Sequence, residues 1–147
     1  MLKPVPGLQV DQQPEPVLLR MCGWAEARGE PRRGLLAVLH VIRNRALKAD
    51  TTLAKEILRP WQFSAFNADE HTGQRRQMLE AHATDPRGWA CVDAVCELFE
   101  QGCTGDPTEG ATHYYVEKME NPPKWGRSHE GWQETRVIGL HVFGRAA

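Results

Sequence analysis

The sequence predicts a single α+β domain, rich in helix and carrying a small antiparallel sheet, and three observations predict it. Apolar residues recur at helical spacing in the first hundred residues, as in Leu35, Val38, Leu39, Ile42 and Ala46. Two runs of strand-forming residues, 111–116 and 137–143, come only after a turn at 105–110. The length of 147 residues suits one substantial core and no second domain.

In chain order, Pro4, Pro6, Pro14 and Pro16 deny residues 1–16 a regular helix, so they read as an extended N-terminal arm before a domain of residues 17–147. Val17, Leu18, Met21, Cys22 and Ala25 give a first helix from 17 to 28, with Gly29 placed to end it. Pro31 opens a second helix, and Glu30 stands favourably against its dipole. A short helix over 53–58 ends before Pro60. A fourth is expected over 74–83. Asp85 and Pro86 start a fifth, whose stripe of Trp89, Val92, Cys96 and Phe99 runs to Gly102. The two strand runs are expected to pair antiparallel. Between them residues 117–134, with Pro122, Pro123, Trp125 and Trp132, form a long loop that reads as a flap over a groove.

Composition narrows the function. Hydrophobic residues at 41% and charged residues at 25% are ordinary for a globular protein, and a net charge of -1 gives no general case for nucleic acid. No apolar stretch is long enough to span a membrane, and the N-terminus lacks an apolar core of signal-peptide length, so folding in a cytoplasm is expected. Cys22, Cys91, Cys96 and Cys103 form no CxxC pair. Cys91 and Cys96 fall roughly 140° apart on a helix, so they share no ligand face, and the cysteines read as small core residues. No metal or cofactor is expected, and the chain is expected to act as a monomer.

Glu26 is the candidate catalyst. It falls at the edge of the first helix's apolar stripe, among Gly23, Ala25, Ala27 and Gly29, where a carboxyl is partly desolvated and a bulky ligand could approach. Desolvation raises a carboxyl pKa and suits it to general-acid work; the ordinary alternative is a solvated charge. Glu30 is the lesser candidate, and it could instead hold Arg28 or a backbone N–H. The run 61–66 mixes Trp61, Phe63 and Phe66 with Gln62 and Ser64, which suits a sugar-binding wall or, alternatively, a cap on the core.

Four segments together resemble the catalytic domain of the spore-cortex-lytic enzymes and related bacterial and phage cell wall hydrolases. They are Ala25-Glu26-Ala27-Arg28-Gly29-Glu30-Pro31, Gln62-Phe63-Ser64, Asp106-Pro107-Thr108-Glu109-Gly110-Ala111 leading into Tyr114 and Tyr115, and Ile138-Gly139-Leu140-His141-Val142-Phe143. The resemblance implies a lysozyme-like domain acting on peptidoglycan glycan strands, with Glu26 catalytic. It makes Glu30, Gln62, Phe63, Ser64, Thr108, Tyr115 and His141 candidates for the substrate groove. His141 could equally be an interior residue bonded to the backbone.

The resemblance also implies lytic transglycosylase chemistry at the bond between N-acetylmuramic acid and N-acetylglucosamine, giving a 1,6-anhydro product. A hydrolytic muramidase would need a second carboxylate, for which Asp69, Glu70 and Asp106 are candidates. A non-catalytic peptidoglycan-binding module would not need Glu26. Without an export signal or a wall-binding segment, the chain fits a phage endolysin waiting in the host cytoplasm, and equally an exported enzyme whose leader has been removed.

Overall fold

The structure is a computed structural model that describes residues 1–27, 29–59, 63–66, 73–116 and 131–146. Five α-helices lie among the described residues: α1 (Glu15–Ala27), α2 (Arg32–Ala49), α3 (Leu53–Leu58), α4 (Gln74–Thr84) and α5 (Pro86–Glu100). Three strands follow among the same residues: β1 (His113–Val116), β2 (Trp132–Ile138) and β3 (His141–Ala146). The α+β class and the helix order are as the sequence predicts.

The helix ends follow the expected local chemistry. Asp85 caps α5 by accepting from the Gly88 amide at 3.2 Å, with Pro86 at the first position. Thr52 caps α3 through the Lys55 amide at 3.1 Å. α1 starts two residues earlier than expected, because Pro16 falls in the first turn, where its missing N–H costs nothing. The N-terminal arm is tied down rather than loose. It contains a 3₁₀ turn at Val10–Gln12, Val10 enters the core, and the Gln13 amide bonds to the backbone of Val5 and Leu8. The Leu2 carbonyl also accepts from the Trp89 indole N–H at 2.8 Å.

α1 is the central helix, packed on α2, α3, α4 and α5. Its Leu18, Leu19, Met21 and Cys22 join Leu39, Ile42, Ile57, Trp89 and Phe99 in the main core. Fully burying one such large side chain stabilises the fold by about 1.5–3 kcal/mol. Gly23, expected to leave room for a ligand, instead lets α1 approach its neighbours. A Cβ there would come within 3.0 Å of Leu35 and 3.2 Å of Val92. Cys22 and Cys96 are buried as expected, whereas Cys91 and Cys103 are exposed.

The sheet has the order β1-β3-β2, both pairs antiparallel. The predicted strand 137–143 proves to be two strand ends and a turn: β2 finishes at Ile138, Gly139 and Leu140 turn the chain, and β3 starts at His141. Gly139 has φ +57° while Leu140 keeps an ordinary φ, the pattern of a type II′ hairpin turn. Val137, Ile138, Leu140, Val142 and Phe143 read as one strand-forming run across the turn, which is why the sequence conceals it. A second cluster, Ala37, Val41, Ala111, Ile138 and Phe143, seats the sheet on α2. Tyr114 touches both clusters, joining sheet to helices.

Candidate active site

The site forms where the end of α1 meets the inner face of the sheet. In the β1–β3 register Tyr114 stands opposite Phe143 and Val116 opposite His141, so Tyr114, Phe143 and His141 share the inner face. From there the Tyr114 hydroxyl donates to Oε2 of Glu26 at 3.2 Å. Burial pushes the Glu26 carboxyl above the usual carboxylate range, and the phenol's hydrogen bond pulls it only part of the way back. Burial pushes the Tyr114 phenol well up, with the charges of Glu26 and Cys22 adding to the effect, so it stays a donor.

Beneath Tyr114 lies a second carboxylate. Oε1 of Glu30 stands 3.1 Å from Nδ1 of His141. Two glycines make its berth: a Cβ on Gly34 of α2 would lie 3.2 Å from Oε2 of Glu30, and one on Gly139 of the hairpin turn would collide with the same oxygen. The His141 ring in turn meets Tyr114 edge-on, with centroids 5.1 Å apart and planes at 88°. Glu30 therefore holds His141; Arg28, the partner the sequence suggested for it, lies outside the described residues.

The other expected groove residues fare differently. Gln62 lies outside the described residues, as do residues 117–130 of the expected flap over 117–134; the end of that segment is not loop, because Trp132 to Glu134 pair with β3 as the start of β2. Ser64 sits in a short 3₁₀ turn, Ser64–Phe66. Phe63 and Phe66 are buried in the main core, the capping role that sequence left open beside the sugar-wall one. Thr108 is 0% exposed, and its place in the fold explains why. Its amide and hydroxyl donate to Oδ1 of Asp106 at 2.8 and 2.6 Å, and the same hydroxyl accepts from the Ala111 amide. Asp106 also accepts from the Gly110 amide and from Asn44 of α2. Burial pushes the Asp106 carboxyl up, but these hydrogen bonds outweigh it and hold the group below its usual range. The 106–111 segment is thus a knotted turn that delivers β1 to the site, and Thr108 offers no open surface to a ligand.

Tyr115 points to the opposite face of the sheet from Tyr114, its ring 6.1 Å from that of Trp132. The sequence pointed to Tyr115 for the groove, whereas the structure brings Tyr114 to Glu26. Strand alternation alone offers Tyr114 and Tyr115 equally, and only the register, in which Tyr114 stands opposite the fully buried Phe143, singles Tyr114 out.

A desolvated carboxyl held by a neutral phenol at a helix–sheet junction has the chemistry a general acid needs. The chain belongs to the cell wall hydrolase family, whose sequence model matches residues 29–144. It is accordingly a peptidoglycan-cleaving enzyme. That match begins just after Glu26, so it supports the family and leaves the role of Glu26 to the geometry. Two solved structures share the fold. One is the catalytic domain of the germination-specific lytic transglycosylase SleB from Bacillus anthracis, 24% identical over 96% of this chain and 99% of that one, with a TM-score of 0.64. The other is the catalytic domain of the Bacillus cereus SleB protein, 24% identical over 89% of each chain, with a TM-score of 0.60. No curated protein sequence matches the chain.

Proposed function

We propose that the protein is a peptidoglycan lytic transglycosylase in which Glu26 serves first as acid and then as base. The observation that carries this reading is the burial of Glu26 against Tyr114, which raises its pKa and fixes one of its oxygens. With Oε2 held by the phenol, Oε1 is the oxygen placed to carry the proton. In the first step Glu26 protonates the oxygen linking C1 of N-acetylmuramic acid to N-acetylglucosamine, and the C1–O bond breaks. In the second, the muramic acid C6 hydroxyl attacks C1 and gives its proton back to the Glu26 carboxylate. The ring closed between C1 and C6 is the 1,6-anhydro product, no water is consumed, and Glu26 ends as it began.

A hydrolytic muramidase needs a second carboxylate to activate water or to attack the sugar. Asp106 is locked in its turn by Thr108, Gly110 and Asn44, and Glu30 is committed to His141. Asp69 and Glu70 lie outside the described residues. The commitments of Asp106 and Glu30 favour the transglycosylase. Mass spectrometry of fragments released from purified sacculi separates the two reactions: anhydromuramic ends are expected, and fragments heavier by one water would make the enzyme a hydrolase. Binding to sacculi without release of fragments would reduce it to a binding module. The proposed setting is that of a phage endolysin; expression in a bacterial cytoplasm should then be harmless until the membrane is permeabilised.

A further inference from the structure

Glu30 and His141 are expected from the family resemblance to touch the glycan, but their surroundings indicate a different task. Their side chains are only 10% and 12% exposed. Both carboxylate oxygens of Glu30 are turned inward, Oε1 to His141 and Oε2 into the berth left by Gly34 and Gly139. Two glycines on separate elements, α2 and the hairpin turn, thus leave room for one carboxylate. His141 then abuts Tyr114 edge-on, while Phe143 lies against the same ring at 5.4 Å.

We propose that Glu30 and His141 are a positioning pair: the carboxylate fixes the imidazole, the imidazole and Phe143 fix the Tyr114 ring, and the ring aims its hydroxyl at Glu26. The inference rests on the reading of Glu26 as the acid. Buried catalytic groups lose rate steeply when displaced, on the order of 10²-fold for about 1 Å. Helix α1 reaches the sheet at this junction through Tyr114, so the ring's tilt sets how squarely the phenol meets the carboxyl. Tyr114 is also faced by Cys22 on α1 and Arg45 on α2, and neither hydrogen-bonds its hydroxyl.

The test is a set of kinetic constants on soluble peptidoglycan fragments, with pH profiles, for Glu30→Gln and His141→Asn, each alone and combined with Tyr114→Phe. His141→Asn keeps an N–H for Glu30 and removes only the ring, so it guards against a variant that loses its fold by burying an unpaired charge. Positioning predicts a kcat loss of about tenfold to 10²-fold with KM little changed. It also predicts an alkaline limb displaced in the direction that Tyr114→Phe displaces it. In the Tyr114→Phe background the further loss should shrink to less than about twofold, because the positioned group is gone. A raised KM with kcat retained would make these residues substrate contacts, and losses that multiply in full in the Tyr114→Phe background would make them independent of the phenol; either overturns the proposal. If the native protein releases no glycan fragments, the enzymatic reading fails instead.

Discussion

Replacing Glu26 by Gln should abolish catalysis while making the protein more stable at neutral pH. Gln has nearly the same volume, and its carbonyl can still accept from the Tyr114 hydroxyl, so the change removes a proton and a charge and little else. Loss of a general acid typically costs 10²- to 10⁴-fold, or about 2.7–5.4 kcal/mol of transition-state stabilisation at about 1.36 kcal/mol per decade. The sign of the stability effect follows from the direction of the pKa. Burial raises Glu26 above its unfolded value, so ionisation favours the unfolded chain. Stability is full below the ordinary Glu value of about 4.3 and is lost as pH rises through the higher folded value. The neutral Gln escapes that loss. The assay pairs kcat/KM for fragment release with thermal melting from pH 3 to 8, a range chosen to bracket about 4.3. The variant should melt higher than the native protein at pH 7, and the gap should close on acidification. A variant within tenfold of native activity would refute the catalytic role, and one that melts lower at pH 7 would refute the desolvation.

Tyr114→Phe removes the hydrogen bond that favours ionised Glu26, so the alkaline limb of kcat/KM should move to higher pH, and the protein should lose about 1.5–3 kcal/mol where Glu26 is charged; pH–rate profiles and urea melts check both. Gly139→Ala places a side chain at φ +57° and against Oε2 of Glu30, and should cost at least about 1–2 kcal/mol from the backbone alone, with a disproportionate fall in activity; activity per folded molecule is the readout. Glu56 is buried between Arg45 at 2.7 Å and Arg59 at 2.9 Å, so Glu56→Gln should destabilise by about 3–5 kcal/mol, measured by denaturant unfolding. Burial, with Arg45 and Lys48 adding to it, pushes His113 down to about 4. Its folded value is depressed, so stability present above about 6.5 should drain away as pH falls toward 4, and His113→Asn should flatten that limb in thermal melts.

The helices were legible because apolar spacing and local punctuation agree: Pro31, Asp85 and Pro86 mark starts that the structure keeps. The desolvation of Glu26 was legible because an apolar stripe runs up to it. What sequence concealed depends on contacts between distant segments. Thr108 and Phe63 looked like ligand residues because polar and aromatic side chains in loops serve binding and packing alike, and only the Asp106 turn and the main core decide between them. Gly23 looked like an opening because bareness also permits close helix packing, here against Leu35 and Val92. The choice of Tyr114 over Tyr115 needed the register with Phe143, and the register needed the turn at Gly139 that an unbroken apolar run disguised.

Everything proposed for Glu26 depends on burial keeping its carboxyl protonated beyond the ordinary carboxylate range. A direct test is a ¹³C NMR titration of the glutamate side-chain carboxyls, with the Glu26 resonance assigned by its disappearance in Glu26→Gln. This resonance is expected to titrate above the ordinary value of about 4.3 and to track the alkaline limb of activity. A Glu26 that titrates at or below that value would contradict the proposal.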